Sequence, residues 1–151
     1  MPVIRVKAKT TMVSEREIET YTTEIGTEYN ICPELIQAII ERESNYNPNA
    51  KNETCIGLMQ VSEKWHTDRM EKLSVTDLYD PYSNILVGTD YLAELFDEAV
   101  DSGRGDDLYY VLMRYNLKTS TANSRWESGD YSDYAIEISE RAAELEREHG
   151  K

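Results

Sequence analysis

An apolar helical stripe of Leu35, Ile36, Ile39 and Ile40 runs straight into an acid, Glu43, at its next same-face position. On a helix the Glu43 carboxylate projects from the face that must bury itself. Burial disfavours the charged form and raises the pKa, the condition that a proton donor working near neutral pH requires. Pro48 restricts Asn47 to extended geometry, and Ser44-Asn45-Tyr46-Asn47-Pro48 is rich in turn formers, so this helix stops beside a polar loop. No second acid among the 29 in the chain is marked by an apolar stripe in this way. Taken alone, Glu43 fits a structural carboxylate satisfied by loop amides as well as it fits a catalytic acid. Tyr115 ends a stripe of its own, after Leu108, Val111 and Leu112.

The elements that must position these groups read as helices. Ser14 and Glu17 make a capping-box pattern, after which Ile18, Tyr21, Thr22, Ile25 and Tyr29 keep helical spacing. Pro33 opens the Glu43 helix at its first turn. Residues 45–64 read as a loop leading into a short helix around Gly57-Leu58-Met59-Gln60. Asp80-Pro81 caps a long helix with the stripe Ile85, Gly88, Leu92, Leu95, Phe96 and Ala99, where Gly88 suggests close approach by another helix. Asp106 or Asp107 begins the Tyr115 helix, and a polar segment from Lys118 to Gly129 separates it from a last helix. That helix is capped by Ser132 and turns Tyr134, Ala135, Ile138, Ala142 and Leu145 inward. Ile4, Val6 and Ala8 alternate with basic residues, which permits one short strand within an N-terminal extension, residues 1–13. The expected architecture is a mainly α, single compact domain over 14–151.

Composition narrows the function. A chain of 151 residues supports one core. The net charge of -13 argues against electrostatic binding to nucleic acid or to an anionic membrane, because both need a basic face. Eleven tyrosines against one phenylalanine suggest aromatic surfaces that also hydrogen-bond. Cys32 and Cys55 make neither a CxxC pair nor a disulfide scaffold and read as two small buried side chains. His66, beside Trp65, reads as a cleft-wall or core residue, since His149 is the only other histidine and no HExxH or acidic metal loop is present. A Cys55–His66 nucleophilic pair lacks any cysteine-hydrolase signature. No metal and no cofactor is expected. The start of the chain lacks the apolar run of a signal peptide and no stretch approaches a membrane span, so membrane insertion is not expected.

In order along the chain, Glu43-Ser44, Asn47-Pro48-Asn49-Ala50, Gly57-Leu58-Met59-Gln60, Asp80-Pro81 with Asn84-Ile85, Gly88 and Tyr91-Leu92, Tyr115-Asn116 and Tyr134-Ala135 resemble the soluble lytic transglycosylase (SLT) domain. That family has a lysozyme-like helical fold akin to goose-type lysozyme. Ordered motifs are far more specific than any one of them. One segment departs from the pattern: where the family reads Ala-Tyr-Asn-Ala-Gly, this chain has Arg114-Tyr115-Asn116-Leu117-Lys118.

The resemblance implies cleavage of the β-1,4 bond between N-acetylmuramic acid and N-acetylglucosamine in peptidoglycan, with Glu43 as acid and then base. It further implies an anhydro-muramoyl product formed without water. Ser44 and Gln60 would bind the sugar or its acetamido group, Tyr115 would orient that group or hold Glu43, and Asn116 and Tyr134 would shape the cleft. Met59, Ser62 and His66 would be wall residues. The plainer alternatives are core packing for Tyr115 and Tyr134, a loop-satisfying amide for Gln60 and a helix terminus for Asn116. The implied partner is a peptidoglycan strand at the bacterial cell wall, reached by a phage-released, exported or larger secreted protein, with a monomer favoured. A hydrolytic goose-type-like muramidase and a non-catalytic glycan-binding or virion-assembly protein are the competing readings.

Overall fold

The computed structural model describes residues 14–151. Seven helices carry the described chain: α1 (Glu15–Tyr29), α2 (Pro33–Ser44), α3 (Thr67–Lys72), α4 (Pro81–Asp101), α5 (Leu108–Asn116), α6 (Thr119–Glu127) and α7 (Asp133–Glu148). Three two-residue strands, β1 (Lys51–Asn52), β2 (Cys55–Ile56) and β3 (Val61–Ser62), form a small antiparallel meander between α2 and α3. The architecture is mainly α, as expected from the periodic stripes. The N-terminal strand expected around Ile4–Ala8 lies outside the described residues.

Helix starts follow the side chains that cap them. Ser14, Asp80, Asp107 and Ser132 each accept a hydrogen bond from a first-turn backbone N–H of α1, α4, α5 and α7. Helices α1 and α2 end at Asn30 and Asn45, both left-handed, a conformation that asparagine tolerates better than most residues. Helix α2 is the central element, with every residue from Glu34 to Ile40 buried. It packs on α1 and α7; α7 packs on α5, α5 on α4, and α4 back on α1, which closes a ring of helices around the core. Ile36, Ile39, Ile40, Ile85, Leu92 and Leu112 are fully enclosed at its centre.

Four expectations are corrected. The segment Gly57–Gln60 is the turn joining β2 to β3 and not a helix, because Gly57 (φ 77°) and Gln60 (φ 51°) are left-handed. The Asn84 side chain, moreover, holds the segment: its Oδ1 accepts from Met59 N, and its amide donates to Ile56 O at the end of β2 and to Leu78 O in the loop before α4, each at 2.8 Å. The polar segment after Lys118 contains α6, which buries only Ala122 fully and so lacks the stripe that would have announced it. Gly88 is approached by Met59 of the β2–β3 turn rather than by a helix; a Cβ there would lie 2.5 Å from Met59 Sδ. Both cysteines are free thiols and half-buried, less enclosed than expected.

Candidate active site

Glu43 occupies the last turn of α2, where the apolar stripe ends and the chain reverses through Asn45 and Tyr46, both left-handed. Its carboxyl is half-buried. Tyr134, on the first turn of α7, donates its hydroxyl to Glu43 Oε2 at 2.6 Å. Burial pushes the Glu43 pKa up, while the Tyr134 hydrogen bond and the nearby Arg42 charge pull it down; burial prevails and the pKa is raised. The other oxygen, Oε1, accepts no hydrogen bond from the described residues.

A cleft of about 660 Å³ runs alongside, between the β2–β3 hairpin and its continuation on one side and the α5–α6 junction on the other. Gln60, Ser62, Trp65, His66, Tyr91 and Tyr115 are among the side chains on its walls. Glu43 does not line the cleft itself. Its charge reaches two residues that do, Tyr115 and Cys55: after burial, it is the main influence holding the hydroxyl of the first and the thiol of the second protonated.

The remaining expected site residues divide by what their polar atoms already do. Tyr115 donates to Met59 O at 2.8 Å, so it braces the β2–β3 turn, and the hydroxyl that holds Glu43 belongs to Tyr134 instead. Ser44 donates to Ile40 O at 2.9 Å within α2, leaving its oxygen as an acceptor only. The Gln60 amide donates to Gly57 O at 2.9 Å and Ala50 O at 3.2 Å, the loop-satisfying role. Asn116 closes α5 and is exposed on the cleft. Met59, expected on the wall, is fully buried against Gly88 and reaches the site only through its carbonyl. Ser62 lines the cleft with a buried hydroxyl that has no partner among the described residues. His66 lies edge-on to Tyr91 with ring centroids 4.5 Å apart, and burial, then the Arg69 charge, lowers its pKa.

Two features of the site escaped the sequence reading. Behind His66, Asp90 accepts hydrogen bonds from Tyr29 at 2.8 Å, from Arg69 and from Lys72 at 3.2 Å. Burial alone would raise the Asp90 pKa, but these donors hold it below its ordinary value. The network ties α1, α3 and α4 together beneath the cleft floor. The role of Asn84, legible in the sequence only as part of a motif, is the other: its hydrogen bonds tie the β2–β3 turn to the loop before α4, and a polar residue near the start of a long helix carries no mark of that role. Among the described residues no group of three or more His, Cys, Asp and Glu side chains could hold a metal ion.

The profile of the family described as "Transglycosylase SLT domain" matches residues 20–138. The chain is 31% identical over 96 residues to "Membrane-bound lytic murein transglycosylase E" of Buchnera aphidicola subsp. Acyrthosiphon pisum, a match covering 58% of this chain and 43% of that protein. It is 32% identical over 99 residues to the "Transglycosylase" of Enterobacteria phage PRD1, covering 65% and 34% respectively. To "Membrane-bound lytic murein transglycosylase F" of Desulfosudis oleivorans it is 35% identical over 88 residues, covering 56% and 18%. The chain thus spans less than half the length of these relatives.

Proposed function

This chain belongs to the transglycosylase SLT domain family, and from that premise we propose that it is a peptidoglycan lytic transglycosylase with Glu43 as its general acid and base. The reading rests above all on the Glu43 carboxyl: one oxygen is fixed by Tyr134, the other takes no hydrogen bond from the described residues, burial raises its pKa, and its charge acts on the cleft residues Tyr115 and Cys55. The raised pKa extends to higher pH the range over which Glu43 has a proton to give. With a glycan strand in the cleft, Glu43 protonates the glycosidic oxygen and the N-acetylglucosamine side departs. The muramoyl acetamido carbonyl attacks the anomeric carbon in its place, so that no second carboxylate is required. The Glu43 carboxylate then removes the proton from the muramoyl C6 hydroxyl, whose oxygen displaces the acetamido group and closes the anhydro ring. Glu43 ends protonated, ready for the next bond, and no water is consumed. Tyr134 holds the carboxyl in one rotamer through both proton transfers, and Tyr115 keeps the β2–β3 turn in place through the Met59 carbonyl. The site of action is the bacterial cell wall, the material that the names of the relatives specify as murein. No described helix is long and apolar enough to cross a membrane.

Digestion of purified cell walls followed by mass spectrometry tests the proposal. Lytic cleavage releases muropeptides lighter by one water than hydrolytic products, and Glu43→Gln lowers the rate by about 10²–10⁴-fold. Activity falls as pH rises through the raised pKa of Glu43, because the donor form is lost. A flat profile across about pH 5 to 9 would remove Glu43 as the acid. Reducing-end products alone would establish hydrolysis by the same acid, and wall binding without any released fragment would establish a non-catalytic glycan binder.

A further inference from the structure

Trp65 is 75% exposed, the most exposed large apolar side chain among the described residues, and it stands at the cleft. An indole has a large apolar surface to hide, so leaving it in water runs against the main driving force of folding. The turn after β3 nevertheless holds it there: Trp65 N donates to Ser62 O and His66 N to Glu63 O, each at 3.2 Å. The Lys64 ammonium lies 5.4 Å from the ring centroid.

The second observation is the ground on either side. Trp65 borders the main cleft and also a smaller concavity of about 260 Å³. The two share Trp65, His66, Arg69 and Glu94, and the smaller continues to Asp68 and Lys72. Trp65 therefore stands where the two concavities meet, on a ridge between them that a chain occupying both would cross. The surroundings are charged rather than a contiguous apolar patch, which fits neither a protein interface core nor a lipid surface. They do fit a pyranose ring, which offers C–H groups to an aromatic face and presents hydroxyl and acetamido groups to polar residues at its rim.

We propose that Trp65 is a stacking platform that joins the main cleft to a further sugar subsite over Asp68 and Lys72, so that affinity for a glycan strand grows with its length. The inference rests on the cleft being a glycan site. In cleavage assays on peptidoglycan strands sorted by length, Trp65→Ala raises KM about tenfold for strands long enough to cross the ridge. The rise is smaller for short fragments, and Trp65→Phe retains most of the affinity. An unchanged KM on long strands, or an equal rise on short and long ones, overturns the proposal. Calorimetric titration of β-1,4-linked N-acetylglucosamine oligomers of increasing length into the Glu43→Gln protein, with and without Trp65→Ala, decides the point without catalysis. An affinity loss that grows with oligomer length supports the subsite. An affinity independent of Trp65, or a loss confined to peptide-bearing strands, overturns it. Should the wild type cleave no glycan, the transglycosylase reading falls while the titration still decides for or against Trp65.

Discussion

Glu43 and Tyr134 lie 91 positions apart in the chain, yet share a hydrogen bond of 2.6 Å in which two effects oppose each other. The phenol donates to the carboxylate and so favours its charged form, whereas burial favours the neutral one and prevails. Removing the phenol hydroxyl leaves burial with less opposition. Tyr134→Phe therefore moves the alkaline limb of the pH–rate profile to higher pH, and it lowers the plateau rate about tenfold because the carboxyl loses its fixed rotamer. A profile measured on cell walls at saturating substrate checks both; an acid-ward shift would contradict the assignment of Tyr134 as donor. Glu43 was legible in the sequence because an acid at the end of an apolar stripe is a conflict that folding has to resolve. Its partner was not, since a tyrosine inside an amphipathic helix looks the same whether its hydroxyl meets water or a carboxyl. Trp65 was passed over for a similar reason: adjacent residues carry no sign of which large side chain remains outside.

The β2–β3 turn shows how elements remote from Glu43 shape the cleft. Met59 is wedged against Gly88 of α4, its backbone N–H is taken by Asn84, and its carbonyl receives the Tyr115 hydroxyl. A methyl group at position 88 would lie 2.5 Å from Met59 Sδ and 3.0 Å from Met59 Cβ, so the turn as well as the flexible side-chain end would have to move. Alanine gains roughly 1 kcal/mol of helix propensity over glycine, but overpacking costs about 1–3 kcal/mol. Gly88→Ala thus destabilises by up to about 2 kcal/mol in urea unfolding and weakens glycan binding, and adding Met59→Ala restores part of the binding. Undiminished stability and affinity in the single variant would show that the turn yields freely. The long helices were readable because their apolar positions repeat at helical spacing and their caps are Ser or Asp. The turn was misread as helical because Leu58 and Met59 look like a helix fragment, while what decides its shape is the left-handed backbone at Gly57 and Gln60 and a side chain from α4. Helix α6 was missed for the opposite reason, a face too polar to register.

At the scale of the molecule, α2 carries Glu43 and α7 carries Tyr134, so the proposed chemistry depends on the seam between these two helices. Arg42–Glu137 at 2.6 Å and Arg141–Glu41 at 3.0 Å cross it on the surface, where ion pairs contribute little. The other end differs. Glu34, in the first turn of α2, is buried and accepts from Cys32 at 3.2 Å and Lys151 at 3.0 Å, and pairs with His149 at 2.6 Å. Burial would raise its pKa, but these partners bring it down from 4.5 to about 2. A carboxyl depressed in the folded state adds stability that is fully present above its unfolded pKa and is lost as pH falls through the folded one. Glu43, with its raised pKa, has the opposite sign: its favourable contribution disappears as pH rises through its folded pKa. The two acids on one helix therefore oppose each other across the pH range, one tying α2 to the residues that follow α7 when charged, the other ready for the proposed catalysis when neutral. Glu34→Gln lowers stability at pH 7 by about 2 kcal/mol, the order expected for a buried charge-assisted hydrogen bond. The gap to wild type closes between about pH 4.5 and about pH 2. Urea unfolding of both proteins across that window measures it, and a gap independent of pH would show that Glu34 acts there through packing alone.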